Sequence, residues 1–319
     1  MDIRQLRYFV TLAAQQHFGR AAGILHIAQP ALSRQIRLLE EELGFALFER
    51  HSKGATPTKE ALVLLERSTF LLHYMEQLKL DMVATHATPQ GLVTVGLSPG
   101  LAALLATPLV LDVRKRYPNI RLKIAETFAP TLYTKLIDGT VDIAILSSPI
   151  PPLNLKVIPL LTERICAIGP YSDKRLHMHQ IGIKELEGIP LILTGVSKSG
   201  IRLELERAAA RANMSLNEVI EVESLEVARR LVHAGLGWTV HFAAPIKWEL
   251  DDCKLAAVPI KGLHLKRVIA RAMEKPPSRA TEVLSALLYD VCMKLMTQNE
   301  WPHSTVTRST RVKRVDMPS

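Results

Sequence analysis

Aromatic residues are scarce in this 319-residue chain, at 5%, and cysteine is scarcer still, with three residues. Cys166, Cys253 and Cys292 are odd in number, widely spaced and without a CxxC pair or a histidine cluster beside them. That pattern argues against a disulfide framework, a redox pair and a zinc site, and makes buried or idle thiols the expectation. No apolar run approaches the roughly 20 residues of a membrane-spanning helix, so no membrane partner is expected. Residues 1–10 carry Arg4 and Arg7 in an amphipathic pattern and lack the apolar stretch and cleavage site of a secretory signal, which places the protein in the cytoplasm. Also missing are a GxSxG elbow, a P-loop, a GxGxxG after a strand and an HExxH helix. His177 and His179 flank Met178 and read as surface histidines in a loop. The sequence therefore nominates no catalytic residue, metal ligand or cofactor, and an α/β enzyme is the weaker alternative.

What is present is an ordinary globular composition, 48% hydrophobic and 22% charged, in a chain long enough for two or three compact units. The net charge of +9, with an isoelectric point near 9.5, favours a polyanionic partner. Its distribution says more than its total. Residues 1–90 hold ten Lys/Arg and nine Asp/Glu, yet within residues 1–37 five arginines (Arg4, Arg7, Arg20, Arg34, Arg37) stand against Asp2 alone.

Ile3, Leu6, Phe9, Val10 and Ala13 recur at helical spacing and predict a first helix to about residue 16. A short second helix opens at Phe18, and a turn over residues 26–29 leads to a third helix from Pro30 to Leu43, stopped by Gly44. Two short helices joined by a four-residue turn give the docking geometry of a helix-turn-helix. The third helix has two faces: Leu32, Ile36, Leu39 and Leu43 gather on one, and Pro30, Ser33, Arg34 and Arg37 on the other, with Gln29 at the entrance. Gln pairs with adenine, Arg with guanine, and Ser with base edges or phosphate. Leu47 and Phe48 begin a short strand, and the polar stretch 49–56 makes a hairpin tip. A long helix over residues 58–87 carries Ala61, Leu65, Ser68, Leu72, Met75 and Met82 along a seam that needs a partner surface.

After Thr88, Pro89 and Gly91 the texture changes. Apolar strands at 92–97 (LVTVGL), 120–126 (IRLKIAE), 141–146 (VDIAIL) and 165–169 (ICAIG) alternate with helical stretches at 101–116, 130–138, 201–212 and 225–234. Such alternation predicts parallel sheets with helices on both faces, and its length suits two small lobes. In doubly wound sheets ligands sit at the carboxyl ends of strands. That rule nominates Ser98, Gly100, Thr127, Ser147, Thr194 and Ser197 as effector-binding, and favours a small carboxylate or other anion as the effector. Residues 302–319, with Arg308, Arg311, Lys313 and Arg314, read as a basic disordered tail.

The stretch AAGILHIAQPALSRQIRLLEEELGFALFERHSKGATPTKEA strongly resembles the N-terminal signature of LysR-type transcriptional regulators. The resemblance is close over residues 1–87 and looser beyond. It implies a winged helix-turn-helix (residues 1–57), a linker and dimerisation helix (58–88) and an effector-binding α/β domain (89–301). That domain would comprise lobe I, about 91–160 and 267–301, and lobe II, about 161–266, both resembling periplasmic solute-binding proteins. Carried over, Gln29, Pro30, Ser33, Arg34 and Arg37 would face double-stranded DNA, and Arg50 and Lys53 would meet phosphate or the minor groove at the wing. The family's habits also imply a homodimer or a homotetramer built as a dimer of dimers, a small-molecule effector, and RNA polymerase as a further partner. Two departures are visible: Ala28 stands where the family often has Ser or Thr, and Thr58-Lys59-Glu60-Ala61 replaces a commoner Thr-x-Ala-Gly. A solute-binding protein remains the alternative for the C-terminal two-thirds alone.

Overall fold

The computed structural model describes residues 1–51, 54–83, 88–147, 154–194 and 200–307. The chain divides into two compact units, Met1–Thr88 with Asp138–Thr140, and Pro89–Ile137 with Val141–Ser319.

In the first unit α1 (Ile3–Gln15) starts at a reciprocal capping box between Asp2 and Gln5 and stops at Gln16 in the left-handed conformation. Helix α2 (Phe18–Leu25) is capped by His17, whose Nδ1 accepts from the Gly19 and Arg20 amides at 3.1 and 3.3 Å. A histidine in this role is not evident from sequence pattern, where Ser, Thr, Asp and Asn are the usual caps. Helix α3 (Gln29–Leu43) has Pro30 in its first turn, no side-chain cap from Ala28, and Gly44 at φ 80° as its stop. Leu32, Ile36 and Leu39 are fully buried against Phe9, Leu12 and Ala22. At about 1.5–3 kcal/mol per buried aliphatic side chain, this one face suffices to fix which side of α3 looks outward.

The hairpin β1 (Phe48–His51) and β2 (Gly54–Pro57) pairs Phe48 with Pro57 and His51 with Gly54. Its ladder therefore runs through most of the stretch expected to be a loop tip. Glu40 of α3 accepts from the Leu47 and Phe48 amides at 2.8 and 3.2 Å and ties the hairpin's entrance to the helix. The return strand is tied to α1, where the Ala55 amide donates to the Gln16 carbonyl at 2.9 Å. Helix α4 (Lys59–Val83) follows, with Thr58 accepting from the Ala61 amide; residues 84–87 of the expected helix lie outside the described residues. The expected seam is partly used inside this unit, because Ala61 is buried in its core and Leu65 packs against it. Among the described side chains of α4 the exposed apolar ones are Leu62, Val63, Leu71 and Leu78, which lie off that seam; the side chain of Met82 lies outside the described residues.

The second unit runs β3 (Gly91–Leu97), α5 (Pro99–Arg116), β4 (Ile120–Glu126), α6 (Ala129–Ile137), β5 (Ile143–Ser147), β6 (Leu155–Pro170), β7 (Leu191–Thr194), α7 (Gly200–Arg211), β8 (Glu218–Val222), α8 (Leu225–His233), β9 (Trp238–His241), α9 (Lys247–Asp251), β10 (Leu255–Ala272), α10 (Arg279–Thr297) and β11 (Ser304–Val306). The strands form one sheet in the order β4-β3-β5-β10-β6-β9-β7-β8, with β11 on β6. Pairs β3–β4, β3–β5, β7–β8 and β7–β9 are parallel, as alternation predicts.

The expectation of parallel sheets is corrected at β6 and β10, which pair antiparallel with each other and with β9 and β5. At 16 and 18 residues they pass through both halves of the sheet, with register shifts between Pro259 and His264 and between Arg267 and Val268. Pro159, Pro259 and Gly262 inside these runs look like breaks in the sequence, but bulges absorb them. Each half is packed on both faces: Leu105, Leu109, Leu284 and Leu288 cover one side of the first half and Leu132 and Leu136 the other.

The expected tail is also corrected at its start. Trp301 is buried, and Ser304–Val306 pair antiparallel with Glu163–Leu161 of β6. Residues 308–319, including all four basic tail residues, lie outside the described residues. Among the described residues no helix is long and apolar enough to cross a membrane, and no group of His, Cys, Asp or Glu is placed to hold a metal ion.

Candidate functional site

Two sites follow from the sequence, one in each unit. In the first, Gln29, Pro30, Arg34 and Arg37 are exposed on α3, and Ser33 is half-buried among them, opposite the buried Leu32, Ile36 and Leu39. Arg37 makes an ion pair with Glu41 at 3.4 Å across an exposed turn, an interaction weak in water. Arg34 has no partner among the described residues. Arg50 reaches from β1 onto this face: its Nη1 donates to Ser33 Oγ at 3.1 Å, and its guanidinium lies 4.7 Å from the Phe18 ring centre. The hairpin cation and the helix hydroxyl thus form one patch, a link between positions 17 residues apart that the sequence does not announce. Lys53 lies outside the described residues.

In the second unit a cavity of about 450 Å³ opens at the ends of β3, β5 and β7 and the N-termini of α5, α6, α7 and α8. Of the expected effector residues, Ser98, Gly100, Ser147 and Thr194 line it together. Thr127 does not: its amide is bonded to the Leu97 carbonyl, and the next residues, Phe128, Ala129 and Pro130, form the wall instead. A strand-end rule places the loop correctly but cannot choose among its consecutive residues. Ser197 lies outside the described residues. Gly100 is a close-approach position, since a Cβ there would sit 3.0 Å from Pro245 Cγ and 3.1 Å from His241 Cε1.

The residues that sequence reasoning missed are the ionic ones. Arg267 of β10 is 5% exposed and Glu163 of β6 is 1% exposed, and both line the cavity. Arg267 donates to Glu163 through Nε at 2.9 Å, approaches it through Nη2 at 2.8 Å, and donates to Ser147 Oγ at 2.5 Å. Trp301 Nε1 donates to the other carboxylate oxygen of Glu163 at 2.8 Å. The Arg267 guanidinium lies 4.3 Å from the Phe242 ring centre. Burial pushes the Glu163 carboxyl up, while the Arg267 charge and the bonds from Trp301 and Arg267 pull it down. Burial brings the His241 imidazole down to about 4; its bond to the Phe242 carbonyl opposes that and the Arg267 charge adds to it. His241 is therefore neutral at physiological pH. Arg202, at another wall, is paired with Glu206 at 2.5 Å and Glu218 at 2.6 Å.

Two of the three thiols are placed as expected of buried cysteines. Cys166 and Cys292 are buried, and burial pushes both well up from the usual thiol range, whereas Cys253 is exposed.

A helix-turn-helix unit with a β-hairpin wing, followed by an α/β unit with a cleft at its strand ends, defines a one-component DNA-binding regulator. Residues 3–62 match the model for bacterial regulatory helix-turn-helix proteins of the lysR family, and residues 86–292 match the LysR substrate binding domain. The chain belongs to the LysR family of DNA-binding transcription regulators with an effector-binding domain. It is 30% identical over 310 residues to the HTH-type transcriptional regulator BbuR of Bordetella bronchiseptica, covering 96% of this chain and 95% of that one. It is 31% identical over 250 residues to the nitrogen assimilation regulatory protein nac of Klebsiella aerogenes, covering 75% and 78%. Among solved structures, a full-length OxyR variant from Pseudomonas aeruginosa is similar with a TM-score of 0.68 at 25% identity, covering 92% of this chain and 94% of that one. Full-length CbnR in complex with its target DNA shares the fold, with a TM-score of 0.67 at 19% identity, over 92% and 99%. Both curated relatives are regulatory proteins by name.

Proposed function

We propose that this regulator, a binding protein and not an enzyme, reads its operator with Gln29, Pro30, Ser33, Arg34 and Arg37 on α3, holds the backbone with Arg50 and Lys53 at the wing, and binds a small-molecule effector in the cleft at Ser98, Gly100, Ser147 and Thr194. The observation that carries the reading is the outward face of α3, where a free arginine and the Ser33–Arg50 patch stand over a fully buried aliphatic face. The functional divisions that go with it are residues 1–57 for DNA reading, 58–88 for pairing of chains, and 89–301 for sensing, the last split into lobes near 160 and 266. One recognition helix buries too little surface for a specific site, so a two-fold homodimer, or a homotetramer of such dimers, reads paired half-sites. The exposed Leu62, Val63, Leu71 and Leu78 of α4 support pairing through that helix. RNA polymerase is the protein partner, and the cytoplasm the location, that this activity requires.

The effector would act by closing the cleft and so changing the spacing of paired DNA-reading heads; a coupling of about 1–3 kcal/mol is ordinary for such a switch. Footprints and bend angles on the promoter region beside its own gene, with and without effector, test this. Effector-dependent protection is the expected result, and identical protection and bending would refute the coupling. Peroxide sensing, suggested by the OxyR-like structures, is not adopted, because both buried thiols are held away from the reactive thiolate form and the exposed Cys253 does not line the cleft.

A further inference from the structure

The strand-end rule favours an anionic effector, and the charges in the cleft argue the other way. The cavity walls are mainly apolar, with Leu104, Phe128, Tyr133, Ile201, Leu225 and Phe242 among them. Among the described residues its cations are Arg202 and Arg267 and its carboxylates are Glu163 and Glu223, so the described part of the lining has equal numbers of each. Neither cation is unoccupied. Arg267 is held by Glu163 through two nitrogens and by Ser147, and Arg202 by Glu206 and Glu218. His241, which would supply a third positive charge if protonated, is neutral. A carboxylate entering this cleft would lose its hydration without gaining an unpaired cation from the described residues, whereas an uncharged molecule would not face that penalty. Hydroxyls are available for orientation: Ser98 makes no side-chain bond to α5, although it stands at the helix cap, and Thr194 and Ser147 face the same space.

We propose that the Arg267–Glu163–Trp301 lock makes this cleft a site for an uncharged, mainly apolar molecule bearing one or two hydroxyl, carbonyl or amide groups, and selects against carboxylates. The proposal rests on the reading of the cleft as the effector site. An anion would bind Arg267 only by displacing Glu163, and burial already biases the Glu163 carboxyl towards taking up a proton. Anion binding would therefore be accompanied by proton uptake.

The test uses the full-length protein and isosteric pairs that differ in charge alone: phenylacetamide against phenylacetate, and hexanamide against hexanoate, titrated by calorimetry at pH 7.5 in two buffers of different ionisation enthalpy. The amide of each pair is expected to bind at least tenfold tighter, and any binding of the acid is expected to show proton uptake. In Glu163→Gln, where a neutral acceptor replaces the carboxylate, the ratio of acid to amide affinity is expected to rise at least tenfold. Tighter binding of the acids to the wild-type protein without proton uptake would overturn the proposal, as would failure of both amides to bind at millimolar concentration. Should Glu163→Gln not fold, the two-buffer comparison on the wild-type protein decides alone. Gly100→Trp, which fills the cleft beside Pro245, separates the two claims. Amide binding that survives this change refutes the cleft as the effector site, whereas acid-preferring binding abolished by it refutes the ligand class alone.

Discussion

Replacing Gly54 with alanine should loosen the wing from the rest of the DNA-reading unit. Gly54 adopts φ 146°, a conformation that residues with a Cβ rarely occupy, and the added Cβ would lie 2.2 Å from the Gln16 carbonyl oxygen. That carbonyl is also the acceptor of the Ala55 amide at 2.9 Å, so relief of the clash breaks the bond that pins β2 to the end of α1. The backbone strain is worth roughly 1–3 kcal/mol and the lost hydrogen bond about 1 kcal/mol, giving a destabilisation of about 2–4 kcal/mol for this unit. Much of it should appear as local opening, because among the described residues the hairpin strands contribute Phe48 and Ala55 to the buried core. Amide exchange at residues 48–57, together with urea unfolding, measures it. Faster exchange in the hairpin with weakened operator binding is expected; unchanged exchange and an unfolding free energy within about 0.5 kcal/mol of wild type, the size of a neutral surface change, would refute the reasoning.

The cleft lock should be costly to break from one side: Glu163→Ala leaves the buried Arg267 with neither countercharge nor acceptor and should cost about 3–5 kcal/mol in urea unfolding, whereas Glu163→Gln removes the countercharge but keeps an acceptor and should cost less than Glu163→Ala. Stability should also depend on pH through His241. Its folded value of about 4 lies below the unfolded 6.5, so the contribution is complete above pH 6.5 and is lost as the pH falls towards 4, by about 3 kcal/mol; His241→Gln should flatten that part of the profile in chemical denaturation. Thiol titration of the native protein should count one reactive cysteine, Cys253, and three after unfolding, and peroxide should leave operator binding unchanged.

The first unit was readable because its information is local. Leu32, Ile36 and Leu39 repeat at helical spacing, Pro30 and Gly44 punctuate the ends, and their burial follows from that pattern alone. The His17 cap and the Ser33–Arg50 bond were hidden because they depend on backbone geometry and on a hairpin folding back, not on residue type. The second unit was half readable. Strand–helix alternation located the ends where Ser98, Ser147 and Thr194 meet, but the strands β6 and β10 were obscured by prolines and a glycine that bulges accommodate. The ionic centre was invisible for a stronger reason. Glu163 meets Arg267 across 104 residues and Trp301 across 138, and neither strand's pattern marks a buried charge whose partner arrives from another part of the chain.

The account stands most directly on operator binding by Arg34→Ala, measured by fluorescence anisotropy at fixed salt against the operator and a set with each base pair changed in turn. A loss of about 1–3 kcal/mol, with relaxed preference at one position of each half-site, is the expected result for an arginine that reads a base edge. An equal loss on every sequence would assign Arg34 to phosphate, and no loss at all would contradict the placement of the outward face of α3 against DNA.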